Sequence, residues 1–119
     1  MNRLNELRNM MFKNHLIKSD YVNNIQLRKI YGPTRYHSDG TKCTKENGEP
    51  GYRVLSVIVV LNDDYEGGEL HFPYQDKMIR LNKGQVIVFP PFWTHPHRAL
   101  DLKNGTFRYT INTWLCNEI

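Results

Sequence analysis

The sequence predicts a mainly β protein, a sandwich or jelly roll, with an α-helix at its N-terminus. Apolar residues recur at helical spacing in the opening segment, whereas after Ser19 and Asp20 short apolar runs alternate with Gly, Pro and Asn. The regular spacing of these runs is typical of sandwiches and jelly rolls. Residues 54–61 are apolar on both faces, which predicts a central strand covered on both sides.

The opening segment predicts a helix because Leu4, Leu7 and Met11 lie on one face with polar residues between them. A chain of 119 residues is too short to bury two separate cores. We therefore expect a single domain, in which residues 1–18 form a helical buttress and residues 22–116 form the β core.

The sequence of the β core predicts eight strands. Each is an apolar or alternating run bounded by turn residues. They lie at residues 25–31, 36–39, 52–62, 69–73, 78–81, 85–90, 95–100 and 107–115. Asn, Asp and Gly clusters separate several of them, as at 62–64, 66–68, 82–84 and 103–105. Residues 40–51 are polar and lack periodicity, which predicts an excursion or lid instead of a tight turn.

Composition narrows the class of protein. No apolar run approaches the roughly 20 residues of a membrane span, and the N-terminus does not resemble a secretory signal. We expect a cytoplasmic protein in which Cys43 and Cys116, which lack metal-site spacing, are free thiols. The net charge is +4, but the basic residues are scattered along the chain. Nucleic acid is therefore not the expected partner.

A short motif, His37-x-Asp39, suggests a metal site. On an extended segment, residues two apart share a face, so the imidazole and the carboxylate can converge. A third donor must come from elsewhere in the chain, and His95 and His97 both offer one. Two histidines and one carboxylate suit non-haem Fe(II) that reacts with O2.

Further motifs follow in a fixed order. They are RVLS at 53–56, LNDDYEGGEL at 61–70, KGQVIVFP at 83–90, PHRA at 96–99 and GTFRY at 105–109. Together with His-x-Asp, the series resembles the Fe(II)- and 2-oxoglutarate-dependent oxygenases, specifically the prolyl 4-hydroxylase-like group, over residues 26–114. The resemblance implies a double-stranded β-helix, a distorted cupin-like jelly roll with iron near one open end.

The resemblance also implies the metal ligands, namely His37, Asp39 and His97. In the family the distal histidine lies eight residues before the glycine that precedes the arginine. His97 has this separation from Gly105 and His95 does not, so we expect His97 to be the ligand.

Co-substrate and substrate residues are implied in the same way. Arg108 would pair with the distal carboxylate of 2-oxoglutarate, because a guanidinium can grip a carboxylate through two parallel hydrogen bonds. Ser56 and Tyr31 match family positions near the co-substrate, and Tyr36 is an alternative to Tyr31. Trp114 shares a strand face with Arg108 and is expected to border the substrate groove.

By this resemblance, the chain would hydroxylate a C–H bond, favouring a prolyl residue in a peptide or protein, and release succinate and CO2. Ascorbate would keep the iron reduced, and an uncovered sheet edge would allow a homodimer. Two alternatives are a cupin-like metal-binding protein or isomerase built on His95 and His97, and a non-catalytic binding module. The first leaves His37, Asp39 and Arg108 without a role.

Overall fold

One helix precedes a set of antiparallel strands in the computed structural model, which describes residues 2–13 and 18–119. The helix α1 spans Asn2–Lys13. The strands are β1 (Tyr21–Ile30), β2 (Lys42–Thr44), β3 (Pro50–Val60), β4 (Glu66–Gly67), β5 (Leu70–Phe72), β6 (Lys77–Ile79), β7 (Val86–Phe89), β8 (Arg98–Ala99), β9 (Leu102–Lys103) and β10 (Arg108–Glu118). A 3-10 turn, Pro73–Gln75, follows β5.

The largest sheet has the order β1-β10-β3-β2, and β7 also pairs with β3. Every pairing in it is antiparallel. In β3 the side chains from Val54 to Ile58 are buried in succession, on both faces of the sheet. The predicted central strand is thereby confirmed, because consecutive side chains are buried only where other parts of the chain cover both faces of the sheet.

Two smaller sheets have the orders β6-β5-β8 and β4-β9. Within the described residues, neither sheet pairs a strand with the large sheet. The main core joins residues of both layers. It consists of Ile58, Val60, Tyr65, Leu70, Phe72, Leu81, Phe89 and Ala99. Because β3 and β7 supply one side of this cluster and β5 and β8 the other, the predicted mainly β architecture is confirmed.

The helix α1 places Leu4 and Leu7 against a second cluster, formed by Val54, Leu55, Val57 and Leu115. Leu4 and Leu7 thus attach the helix to the large sheet. The helix ends at Lys13, and the remaining predicted helical residues at 14–17 and Met1 lie outside the described residues. The single-domain organisation stays a prediction. Within the described ranges, no helix combines the length and apolar character that a membrane crossing needs.

The strand predicted at 36–39 is wrong. This segment forms one isolated bridge, in which the backbones of His37 and His97 exchange two hydrogen bonds of 3.1 and 2.9 Å. The ladder does not continue because the backbone N–H groups that would extend it bond elsewhere: that of His95 donates to the carbonyl of Phe92, and that of Ala99 donates to the hydroxyl of Thr34. The prediction at 95–100 was also too long, since β8 contains Arg98–Ala99 alone.

Residues 40–51 do not form the predicted excursion or lid. Lys42, Cys43 and Thr44 pair with Tyr52, Gly51 and Pro50, so that β2 and β3 make a hairpin. Its turn is closed by hydrogen bonds between Lys45 and Gly48, 2.9 Å, and between Lys45 and Glu49, 2.8 Å. The segment lacks periodicity because most of its side chains are exposed on both faces.

The large apolar ring of Trp93 favours a position in the core from the sequence, but its side chain is 78% exposed. It lies in the turn that follows Pro90 and Pro91, and its neighbour Phe92 is 41% exposed. Since no strand continues past the prolines, the indole has no sheet face to pack against.

Leu115 tests the importance of the contact between the helix and the large sheet. The side chain is fully buried beneath α1, so Leu115→Ala should lower the free energy of unfolding by about 3 kcal/mol. Leu27→Ala is the matched control, because Leu27 is 72% exposed on β1 and should cost less than about 0.5 kcal/mol. Urea denaturation measures both, and equal losses would contradict the assigned packing.

Candidate metal centre and its cavity

Three donor side chains from two distant segments meet at one point. Oδ1 of Asp39 lies 3.4 Å from Nε2 of His37 and 3.3 Å from Nε2 of His97. All three donor atoms lie within 4.8 Å of one another, a spacing that allows one metal ion to contact each. The backbone bridge between His37 and His97 brings the two segments together.

The backbone also selects the tautomer of both imidazoles. Nδ1 of His37 lies 2.8 Å from the carbonyl of Arg35, and Nδ1 of His97 lies 3.0 Å from that of His95. A carbonyl only accepts hydrogen bonds, so each Nδ1 carries the proton. In the neutral imidazoles, each Nε2 therefore presents a lone pair toward the cluster, as a metal ligand must.

Asp39 is an anion in this setting. Burial raises the pKa of its carboxyl, but the hydrogen bond from Ser56 and those that the imidazoles of His37 and His97 donate from Nε2 when doubly protonated outweigh burial and hold the pKa well below its usual value. In return, the hydrogen bond to Asp39 raises the pKa of His37 above its ordinary value. The cluster thus concentrates negative charge on the oxygen that faces both imidazoles.

The second carboxylate oxygen of Asp39 is held by the large sheet. Ser56 on β3 donates its hydroxyl to Oδ2 at 2.6 Å, and the indole N–H of Trp114 on β10 donates at 3.3 Å. Arg53 stacks its guanidinium 3.8 Å above the Trp114 ring and donates to the backbone carbonyl of Asp39 at 3.0 Å. These contacts turn Oδ1 toward the histidines.

A cavity of about 240 Å³ connects the metal cluster with Arg108. Four residues of β10 point into it, as the alternation of the last strand predicted: Arg108, Thr110, Asn112 and Trp114. The remaining wall is formed by Gln26, Arg28, Ile30, Thr34, His37, Ser38, Asp39, Arg53, Ile58, Leu70, His97 and Ala99.

Arg108 lies at the inner end with its side chain 5% exposed. One of its terminal nitrogens donates to the carbonyl of Gly68, while its Nε–H is buried without a partner. Burial lowers the pKa of the guanidinium, which nevertheless stays charged at neutral pH. A buried cation with an unused donor is suited to an anionic ligand.

Gly68 makes room for this guanidinium. A Cβ at this position would lie 2.6 Å from the side chain of Leu102 and 3.4 Å from Nη1 of Arg108. The backbone φ of Gly68 is +68°, a value that residues with a side chain rarely adopt. The Glu66-Gly67-Gly68 turn is therefore part of the cavity architecture.

Some of the predicted site residues are not on the cavity wall. Tyr31 is 68% exposed and packs edge-on against Phe107, with ring centroids 6.1 Å apart. Tyr36 does not line the cavity either, and its hydroxyl forms a hydrogen bond with Nδ1 of His71. Ser56 contacts Asp39, as described, and is not a lining residue. The roles of Tyr31 and Ser56 in co-substrate binding stay predictions.

His97, and not His95, joins the metal cluster. The Nδ1 of His95 instead hydrogen-bonds the hydroxyl of Thr94 at 2.9 Å.

Among the polar residues of the cavity wall that sequence reasoning missed are Gln26, Arg28 and Thr34. The two-residue period of the predicted strand at 25–31 puts Gln26 and Arg28 on one face, but it gave no signal that this face turns inward, because the apolar Ile25 and Leu27 alternate with them. Thr34 had no such signal, because it is positioned by hydrogen bonds to the backbone of Ala99.

The residues present fit iron and 2-oxoglutarate. Two imidazole nitrogens and one carboxylate oxygen are a donor set typical of non-haem Fe(II) sites with open coordination positions. The unpartnered Nε of Arg108 fits a carboxylate at the other end of the same cavity.

Comparison with known proteins agrees with this chemistry. The chain is 23% identical over 100 residues to a protein of Acanthamoeba polyphaga mimivirus assigned as a prolyl 4-hydroxylase, covering 71% of this chain and 41% of that protein. The chain thus spans less than half the length of this curated relative.

Solved structures show the same fold. A viral collagen prolyl hydroxylase from Paramecium bursaria Chlorella virus 1, solved with 2-oxoglutarate, superposes with a TM-score of 0.73 at 18% identity, over 98% of this chain and 70% of that one. A Trichoplax adhaerens prolyl hydroxylase, in complex with a hypoxia-inducible-factor peptide, gives 0.66 at 16% identity, over 94% and 54%. The predicted double-stranded β-helix is confirmed.

The family model described as the 2OG-Fe(II) oxygenase superfamily matches residues 25–116. This range contains the three clustered donors and Arg108. The chain belongs to the 2OG-Fe(II) oxygenase superfamily and resembles its prolyl hydroxylases.

Proposed function

We propose that this chain is an Fe(II)- and 2-oxoglutarate-dependent dioxygenase that hydroxylates a C–H bond, and that its target is a prolyl residue in a peptide or protein. The observation that supports this most directly is the shared cavity. The cluster of His37, Asp39 and His97 and the buried Arg108 open into the same space of about 240 Å³.

His37, Asp39 and His97 would hold the iron. When iron and 2-oxoglutarate are bound, they supply the activation of O2 and the oxidative decarboxylation that yields succinate and CO2. The chain fixes the donors in advance, because the backbone carbonyls of Arg35 and His95 set the imidazole tautomers. Little reorganisation is then needed when the metal enters.

Arg108 would bind the distal carboxylate of 2-oxoglutarate. The other end of this dicarboxylic acid then points along the cavity toward the three metal donors. Thr110 and Asn112, between the two ends on β10, offer further polar contacts. Ile58, Leu70 and Ala99 provide apolar walls that limit water beside the guanidinium and strengthen its attraction for the carboxylate.

A larger groove supports a peptide as the substrate. It measures about 920 Å³, lies between the first part of β1 and the β2–β3 hairpin, and shares Arg53 with the metal cavity. Trp114, the predicted substrate-binding residue, lines the metal cavity and lies against Arg53, which lines both spaces. The relatives described above are named as prolyl hydroxylases, which favours a prolyl target.

Three further assignments belong to the same proposal. Ascorbate is the expected reductant of the iron, following the family resemblance. A homodimer could form through β1, which pairs on one side with β10 and leaves its other edge open in the sheet order. A reducing cytoplasm suits the free thiols of Cys43 and Cys116.

The competing functions have less support. A cupin-like site on His95 and His97 would need both imidazoles at one point, but the hydrogen bond of His95 to Thr94 is separate from the cluster. A non-catalytic binding module would give no role to the buried guanidinium of Arg108 or to the three converging donors.

The test of the proposal is coupled turnover. The protein is supplied with Fe(II), 2-oxoglutarate, ascorbate and a library of proline-containing peptides under air. We expect succinate together with a peptide product heavier by one oxygen atom. EDTA and Asp39→Ala should each abolish both products. Succinate that persists in Asp39→Ala, or its absence from the native protein, would refute the proposed activity.

Metal binding distinguishes the two candidate histidines. His97→Ala removes a ligand and should weaken Co(II) binding at least about a hundredfold. His95→Ala is the matched control and should retain the native affinity, since its imidazole lies outside the cluster. Titration of the visible Co(II) absorption measures both affinities. A similar loss in the two variants would refute the ligand assignment.

Arg108→Lys tests the co-substrate role, because lysine keeps the positive charge but loses the planar pair of donors. The KM for 2-oxoglutarate should rise about tenfold, the effect of one hydrogen bond to a charged group. Arg80→Lys is the control. Arg80 stacks on the ring of Tyr65 at 4.1 Å, close to Arg108, but is exposed and outside the cavity. An unchanged KM in Arg108→Lys would contradict the assignment.

A further inference from the structure

The metal cavity contains more positive charge than the proposed reaction uses. Three of its lining residues are arginines, Arg28, Arg53 and Arg108, whereas Asp39 is the single carboxylate among them. Bound Fe(II) and doubly ionised 2-oxoglutarate would cancel each other. The cavity would therefore stay positive in the loaded enzyme, and this excess charge faces the space left for the substrate.

Two of these arginines already have partners. Arg108 donates to the carbonyl of Gly68 and is assigned to the co-substrate. Arg53 lies on the indole of Trp114 and donates to the backbone of Asp39. Their charges are directed inward, to groups that position the metal and 2-oxoglutarate.

Arg28 differs from both. Its side chain lines the cavity and is exposed to solvent, and it makes no hydrogen bond or ion pair with any residue in the described ranges. On β1 it lies opposite Thr110 of β10, on the same strand face as Gln26. A free guanidinium at the mouth of a reaction cavity is available to an incoming molecule.

We infer that Arg28 is a specificity-determining residue that pairs with a carboxylate of the substrate, so that the enzyme prefers an acidic peptide. This inference rests on the proposed function and adds the substrate class. The acidic side chain, Asp or Glu, would lie near the hydroxylated residue in sequence, because Arg28 and the metal donors line one cavity of about 240 Å³.

An acidic peptide explains the site better than a nucleic acid does. Nucleic-acid binding depends on several simultaneous phosphate contacts, and Arg28 is the single unpartnered cation among the described lining residues. The aromatic ring of the cavity, Trp114, is covered by Arg53 and cannot serve as a platform for a base.

The experiment compares three fluorescent peptides that are identical except for the residues flanking one proline, which are Glu, Gln or Lys. Fluorescence anisotropy measures binding to the complete chain with Fe(II) and 2-oxoglutarate under anaerobic conditions, and mass spectrometry gives KM and kcat for hydroxylation in air. We expect the Glu peptide to bind about five- to tenfold more tightly than the Gln peptide, with the difference in KM and not in kcat.

Two variants connect this preference to Arg28. Arg28→Gln should remove the difference between the Glu and Gln peptides, and Arg28→Glu should reverse it in favour of the Lys peptide. Lys29→Gln is the matched control. It removes a positive charge from the next residue of β1, whose Nζ lies 4.1 Å from the centre of the Phe107 ring and outside the cavity. This variant should keep the preference for the Glu peptide.

Equal affinity for the three peptides in the native protein would overturn the inference. So would equal losses of preference in Arg28→Gln and Lys29→Gln, or tighter binding of a single-stranded oligonucleotide than of the Glu peptide. Succinate formation separates this failure from failure of the proposed function. Turnover without a charge preference refutes the role of Arg28 alone, whereas Arg28-dependent peptide binding without succinate refutes the oxygenase and leaves the role of Arg28 intact.

Discussion

The candidate site depends on one backbone bridge. His37 and His97 are sixty residues apart in the sequence, yet they exchange two main-chain hydrogen bonds of 3.1 and 2.9 Å. This bridge sets the separation of the two imidazoles, and the carbonyls two residues before each histidine orient the rings. The two histidines are therefore positioned mainly by the main chain, which a neighbouring side-chain substitution disturbs little.

The large sheet provides the rigid part of the site. Asp39 comes from an irregular segment, but Ser56 and Trp114 hold its carboxylate from two central strands. Arg53 extends this network to the peptide-sized groove. Because the same four residues connect metal, cavity wall and groove, a substrate that moves Arg53 or Trp114 would also act on the orientation of a metal ligand.

Electrostatics divides the cavity into regions. The pKa of Asp39 is held well below its usual value, so that one anion faces the imidazoles. Arg108 is buried beyond it, where the low dielectric strengthens attraction to an anionic ligand. Arg28 lies at the exposed side. A cavity with a metal site, a buried cation and an outer cation is suited to ordering two anionic molecules around one reacting point.

The sequence alone determined the mainly β class, the central strand β3 and the inward face of β10, because these depend on local periodicity. The choice of His37, Asp39 and His97, which cluster in the structure, came from the family resemblance. Only the tertiary structure decided that 36–39 forms one bridge and that 40–51 forms a hairpin. It also decided that Arg28 lines the cavity. Such features depend on contacts between segments far apart in the chain, such as the hydrogen bonds between Thr34 and Ala99, and no local pattern encodes them.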